Sequence, residues 1–298
     1  MPHWRAIDIP HDSLNLDYTL TSGQAFRWKK AEDGSWVGVI GHSVVRLRLA
    51  RDHLQWRARP DEDMTDALRD YFRLSEDVGR IYAHLASADA HVGALVRRFR
   101  GLRLLRQPTQ ETLLTFVCSA ANSIPRISAA IRKLSASCGD FIASVGGEDY
   151  HTFPNLEALA AADGCLLDNA GLGFRGAALQ SIARQILERP HGWLDSLRTR
   201  SYQEAKAELV ALRGVGPKIA DCVCLFALGK DEAVPVDTHV RQLAARLYLP
   251  DLTTRSVTES VYRRVSECFG QRFGQYAGWS QQLLYYEDLL LGGKRNRF

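Results

Sequence analysis

Two short segments hold residues whose types and spacing could do covalent chemistry. In Leu212-Arg213-Gly214-Val215-Gly216-Pro217-Lys218-Ile219-Ala220 two glycines and a proline separate a helical stretch from a lysine. A helix ending at Leu212, a glycine turn and a proline at the first turn of the next helix form a helix-hairpin-helix pattern. The free N–H groups of such a helix start, reached past Gly214 and Gly216, make a seat for a phosphate. Lys218 falls in the first helical turn, where the helix field disfavours a cation and so favours the neutral amine that a nucleophile requires. The second segment, Val234-Pro235-Val236-Asp237-Thr238-His239-Val240, places Asp237 nineteen residues after that lysine. Asp237 follows an extended stretch and precedes an amphipathic helix, so it reads as an N-cap. A carboxylate held there stays ionised and suits stabilisation of positive charge developing on a sugar. Each residue alone has a plainer reading, a solvated lysine and a cap without chemistry; the pair is what points to catalysis.

Up to about residue 60 the elements that must position these groups have strand character. Trp36–Ile40 is a run of aromatic and β-branched residues, Gly41-His42 is a turn, and Val45, Leu47 and Leu49 alternate with Arg46 and Arg48. Leu54 and Trp56 continue the period of two. This predicts a small antiparallel sheet with one wet, arginine-bearing face. From about residue 63 the period is helical. Thr109 is the expected N-cap of a helix carrying Leu113 to Ala121, and Ser123-Ile124-Pro125 interrupts it. Further helices are expected near 126–137, 155–163, 176–188, 201–211, 217–228, 238–248, 255–268 and 275–291, with breaks at Gly146-Gly147 and Gly171-Leu172-Gly173. The expected fold is α+β: a small N-terminal antiparallel sheet with flanking helices over 1–98, then a mainly helical, two-lobed body over 99–298. The hairpin lies at about 203–228, and the site in the cleft between the lobes.

Composition narrows the classes. The 298 residues are 46% apolar and 24% charged with a formal charge of +4, compatible with a polyanionic partner. Cys118, Cys138, Cys165, Cys222, Cys224 and Cys268 form neither a zinc pattern nor an iron–sulfur run and are expected to be reduced. The first residues lack a signal pattern and no 18-residue apolar run occurs, so the expectation is an intracellular protein, cytoplasmic, nucleoid or nuclear, without a membrane partner.

LRGVGPKIADC followed by PVDTHV resembles the helix-hairpin-helix DNA glycosylases of base-excision repair, and most closely the 8-oxoguanine DNA glycosylase family. Ser22-Gly23-Gln24-Ala25-Phe26-Arg27-Trp28, Leu104–Gln107, Cys118-Ser119, Gly171–Arg175 and Gly278-Trp279-Ser280-Gln281 extend the similarity over nearly the whole chain. The resemblance implies that Lys218 attacks C1′ of a damaged nucleotide, displaces the base, and forms a Schiff base that permits β-elimination of the 3′ phosphate. It implies that Asp237 stabilises the oxocarbenium-like transition state, help commonly worth ~3 kcal/mol. The flipped purine would lie between Cys222 and Tyr285, with Gln281 on its Watson–Crick edge and the Gly23–Gln24 turn beside it. There the Gly23 carbonyl accepts the N7 hydrogen found only in the oxidised base. Phenylalanine is the commoner residue where Tyr285 stands. By the same resemblance His239 contacts a flanking phosphate, Arg126 and Arg175 contact the orphaned cytosine, Phe174 is a wedge, and Gly214 and Gly216 seat the backbone. The chemistry needs no cofactor. A structural K+ or Na+ is implied on the main-chain carbonyls of Val210, Leu212 and Val215. The implied partner is double-stranded DNA containing oxidised guanine, bound by a monomer.

Other readings are a glycosylase for an alkylated or mismatched base and a non-catalytic helix-hairpin-helix DNA-binding module. The latter accounts for the GVG loop but not for Lys218 and Asp237 together. One departure from the family stands out: where an asparagine usually fills the gap left by the base, this chain has Ala121, with Asn122 one step on. One helical step turns a side chain by about 100°. Weaker preference for cytosine opposite the lesion is therefore expected. Comparable cleavage of 8-oxoguanine opposite C, T, G and A supports this; strong selectivity for C removes it.

Overall fold

The structure, a computed structural model, describes residues 3–120, 122–253 and 256–295. The N-terminal part builds a five-stranded antiparallel sheet from β1 (Arg5–Asp8), β2 (Lys29–Lys30), β3 (Trp36–Ile40), β4 (Ser43–Ala50) and β5 (His53–Arg59) in the order β1-β5-β4-β3-β2. Helix α1 (Leu16–Thr21), capped by Asn15, lies between β1 and β2. In β5 the residues alternate, with Leu54, Trp56 and Ala58 buried and Gln55, Arg57 and Arg59 on the other face. All of β3 is buried. The reason is a second, two-stranded sheet of β6 (Phe141–Val145) and β7 (Glu148–His151), which packs on Val37, Val39 and Val44 and dries that end of the outer face.

The remainder is helical. α2 (Thr65–Tyr71), α3 (Val78–Ala88) and α4 (Ala90–Arg98) lead to α5 (Thr109–Val117) and α6 (Ile124–Cys138), which enters the β6–β7 hairpin. Then follow α7 (Leu156–Ala161), α8 (Gly164–Asn169), α9 (Phe174–Leu187), α10 (Trp193–Ser196), α11 (Tyr202–Val210), α12 (Pro217–Phe226), α13 (Thr238–Leu247), α14 (Glu259–Phe273) and α15 (Ala277–Arg295). Side-chain caps fix several starts, including a reciprocal Ser201–Glu204 capping box on α11. The α+β class is as expected, and the hairpin falls between α11 and α12. Strands β1, β2, β6 and β7 and helix α1 were not expected; each is too short to show a period. Thr109 is not a cap: Pro108 occupies that place without a side-chain bond, α5 ends at Val117, and the Thr109 hydroxyl reaches Asp195 at 3.0 Å. The segment expected to start a helix at 255 begins α14 at Glu259.

Two main apolar cores result, beside the small cluster at Val37, Val39 and Val44. One lies under the sheet around Leu47, Leu54, Trp56, Leu68 and Phe72, and the larger runs through the helices, α3 and α4 included. Two buried arginines join the parts. Arg103 donates to the carbonyls of Phe72, Ser13, Arg73 and Glu76. Arg73, 2% exposed, grips Asp231 with two bonds of 2.6 and 2.8 Å and lies over the Trp279 ring. Such a pair adds little net stability, but removing one partner strands a buried charge, at a cost of about 3–5 kcal/mol. Asp231→Ala, which leaves Arg73 only the 3.4 Å contact with Glu76, is thus expected to lower the urea midpoint by up to that equivalent.

Candidate active site

α12 starts at the hairpin turn. Gly214 has φ +101, the left-handed region a side chain avoids, whereas Gly216 is extended at φ −88 and a Cβ there would meet nothing within 4 Å. Gly216 is therefore not demanded by the turn; its open side leaves space in front of the N-terminus of α12. From this first turn the Lys218 ammonium donates to Ser119 Oγ at 2.9 Å and lies 5.2 Å from the Phe116 ring centre. Ser119 donates in turn to the Phe116 carbonyl at 2.6 Å, so the lysine is held off the end of α5.

Asp237 caps α13 as expected, accepting from the Val240 N–H at 2.9 Å. Behind it, Val236 N–H donates to the Tyr262 hydroxyl at 3.3 Å, and that hydroxyl donates to Asp221. Asp221 lies on α12, one turn past Lys218, with no exposed surface. It also accepts from Tyr202 Oη at 2.7 Å and Lys206 Nζ at 2.8 Å. Burial pushes its pKa up while the ammonium and hydroxyls oppose that push.

Lys218 and Asp237 both line two adjoining cavities. One is an open cleft of about 870 Å³ that includes Asn122, Gly216 and His239. The other is a pocket of about 40 Å³ whose walls include Gly23, Cys222, Gln281 and Tyr285. Cys222 is buried, and burial raises its thiol to about 12, so it presents a neutral, polarisable surface. Tyr285 is likewise raised, by burial and then by the charge of Asp237. A Cβ on Gly23, at φ +79, would lie 3.1 Å from the Tyr285 ring, so the glycine lets that ring close the pocket. Gln281 is 4% exposed, and its Oε1 finds no partner among the described residues. A buried amide oxygen without a donor costs free energy unless a ligand satisfies it.

Gln24 differs from expectation. Its amide donates to the carbonyls of Thr19 and Arg103 and accepts from Leu105 N–H, so it faces away from the pocket and fixes the turn that presents Gly23. Gln282, singled out by no sequence signal, shares that task by donating to Ser22 O at 2.7 Å. Phe116 and Phe226, stacked with centres 5.6 Å apart, also line the pocket and were likewise missed.

The expected DNA-facing residues are exposed or half-buried. Phe174, 71% exposed, opens α9, with the Arg175 guanidinium 4.4 Å from its ring centre. Arg175 Nε donates to Ala120 O at 2.7 Å. Arg126 is exposed in the first turn of α6. Asn122 donates to Cys118 O at 3.2 Å, and Ala121 lies outside the described residues. His239 packs edge-on to Tyr285 and lies 3.6 Å from Asp288. Of the carbonyls of Val210, Leu212 and Val215, that of Leu212 accepts from Val215 N–H at 3.0 Å. Among the described residues no helix is long and apolar enough to cross a membrane.

Residues 6–113 match the model of the 8-oxoguanine DNA glycosylase N-terminal domain, and residues 114–267 match that of the HhH-GPD superfamily base excision DNA repair proteins. The chain is 35% identical over 305 residues to the N-glycosylase/DNA lyase OGG1 of Arabidopsis thaliana, covering 97% of this chain and 81% of that protein. The chain belongs to the 8-oxoguanine DNA glycosylase family. Among solved structures, this glycosylase is similar to MBOgg1 in complex with a low-affinity DNA ligand, at TM-score 0.86 and 32% identity over 98% of this chain and 97% of the other. It is also similar to the Clostridium acetobutylicum 8-oxoguanine glycosylase/lyase in complex with dsDNA containing cytosine opposite 8-oxoG, at TM-score 0.85 and 27% identity over 97% and 98% of the two chains.

The neutral state of Cys222 has a direct test. Iodoacetamide reacts with thiolate, so in the native glycosylase at pH 8 exposed Cys165 is labelled and Cys222 is not, and both are labelled in urea. Equal native rates contradict the assignment.

Proposed function

We propose that one amine, Lys218 Nζ, carries out both steps of a bifunctional DNA glycosylase/AP lyase on 8-oxoguanine in duplex DNA. The observation that carries this reading is that Lys218 and Asp237 stand where the small pocket meets the cleft. A base can enter the first while its sugar stays in the second. The ammonium gives up a proton, the neutral Nζ adds to C1′, the C1′–N9 bond breaks, and the base leaves with the bonding pair and takes up a proton. Loss of the amine protons and opening of the sugar give the Schiff base. Removal of a C2′ proton then expels the 3′ phosphate by cleavage of the C3′–O bond. The Asp237 carboxylate lines the same two cavities as Lys218 and favours the positive charge that C1′ and the ring oxygen develop.

The pocket, at about 40 Å³, has room for about three waters and none for a purine. Base entry therefore requires the Tyr285 ring to leave Gly23, in addition to the few kcal/mol that unstacking the nucleotide costs. Cys222 and Tyr285 then take the two faces of the base. The unsatisfied Gln281 amide takes its edge, and Gly23 O takes the N7 hydrogen. Phe174, Arg175, Arg126 and Asn122 face the gap and the partner base, His239 a flanking phosphate, and Gly214 and Gly216 the strand at the hairpin. The reading includes preference for oxidised guanine in a duplex, action as a monomer, and weak selectivity for the opposite base because of Ala121. It also includes a monovalent cation on the carbonyls of Val210, Leu212 and Val215; Val210 ends α11, where carbonyls lack intrahelical partners. The named activities of the similar proteins support the substrate, and the Lys218–Asp237 pair weighs against a binding module without chemistry.

Borohydride trapping on a duplex with 8-oxoguanine opposite cytosine tests this. Wild-type protein is expected to give a covalent band, and Lys218→Gln to give none while keeping duplex affinity within a few-fold. Asp237→Asn is expected to slow base release by about 10²–10³. A wild-type protein that binds the duplex without trapping, or a trapping Lys218→Gln variant, overturns the assignment.

A further inference from the structure

The outer face of the N-terminal sheet carries a cluster of arginines that the active site does not use. Arg46 on β4 lies directly opposite Arg57 on β5, and one step along Arg59 lies opposite Val44. Arg48 is on the same face, opposite Gln55. Like charges placed directly across a ladder destabilise it, so the Arg46–Arg57 pairing is a cost that the sheet's other contacts offset. The carboxylate bonded to the cluster is that of Asp33, which takes one Arg46 N–H at 2.6 Å. Arg48 donates to Gln55, and the guanidiniums of Arg48 and Arg57 lie 4.2 and 4.7 Å from the Trp4 ring centre. Burial and the repulsion of Arg46, Arg48 and Arg59 make the Arg57 cation less favourable. Between Arg46, Arg57 and Arg59 and the tip of the β6–β7 hairpin at 144–146 there is a cavity of about 120 Å³, wide enough for a tetrahedral oxyanion. The acidic group on that side of the hairpin, Asp149, is occupied by the Ser144 hydroxyl at 2.5 Å.

We propose that this face is a second DNA-binding surface, which holds a further DNA segment through its phosphates while the lesion strand occupies the cleft. Guanidinium groups present forked donors suited to phosphate oxygens. Trp4 lies under two arginines rather than open for a base, so contact is with the backbone and independent of sequence. The polyanion that a DNA glycosylase meets in excess is DNA, which favours DNA over an acidic protein segment; this choice rests on the proposed function, but the surface itself does not.

The covalently trapped complex separates the two sites, because its cleft is already filled. Fluorescent undamaged duplex is titrated into trapped wild-type protein and into trapped Arg57→Gln/Arg59→Gln, with Arg57→Lys/Arg59→Lys as the charge-retaining control. Wild type is expected to bind the second duplex. The Gln pair should lose at least tenfold in affinity and flatten the slope of log K against log salt by about 2, one unit per lost phosphate contact. The Lys pair should recover most of the binding, and trapping should be equal in all three. No second duplex on wild type, an unchanged Gln pair, or tighter binding of poly-glutamate than of DNA overturns the proposal. If wild-type protein does not trap, the enzymatic reading falls instead. The surface is then judged on free protein, where the Gln pair should reduce two bound duplexes to one and an unchanged stoichiometry refutes it.

Discussion

One buried carboxylate anchors the elements that carry both Lys218 and Asp237. Asp221 has no exposed surface and sits on α12 one turn past Lys218. An ionised carboxylate in such a place is costly unless several donors reach it, and here they come from Tyr202 and Lys206 on α11 and Tyr262 on α14. Because Tyr262 also receives the Val236 N–H, the same cluster anchors the strand that ends at Asp237. The hairpin, the lysine helix and the start of α13 are thus tied to one point. Lys218 and Asp237 need not be near each other in sequence because their supports share a ligand.

The sheet enters the site by a different route. It contributes no chemical group of its own, but the turn at Gly23 follows α1 and is clamped by Gln24 and Gln282. Gln24 bonds to a segment about eighty residues away, next to the Arg103 that knits the two cores. A side chain with four fixed partners, the Ser22 hydroxyl among them, moves little, so the backbone at Gly23 is held rigidly where it borders the pocket.

These supports explain what could and could not be read from the sequence. Lys218 and Asp237 were legible because a glycine turn, a first-turn proline and a cap residue leave local marks that survive without tertiary context. The long helices were legible from their period. The role of Gln24 was not, because its partners are backbone carbonyls of distant residues and carry no sequence signature. Asp221 reads as an ordinary helical aspartate until Tyr262 is brought to it across forty residues. The β6–β7 hairpin escaped because its strands are short, and its apolar residues find their partners on the outer face of a sheet expected to be wet. Thr109 does not cap α5, because a side chain that looks local in the sequence bonds instead to Asp195.

Cys222 has a consequence beyond packing. Hydrogen peroxide attacks the thiolate and drives cysteine towards sulfenic and then irreversible acids. The lesion that the family name specifies arises from the same oxidants. A pocket walled by a thiol that burial keeps protonated is thus chemically quiet towards those oxidants, and the burial of Cys222 protects the lining it shares with Lys218 and Asp237.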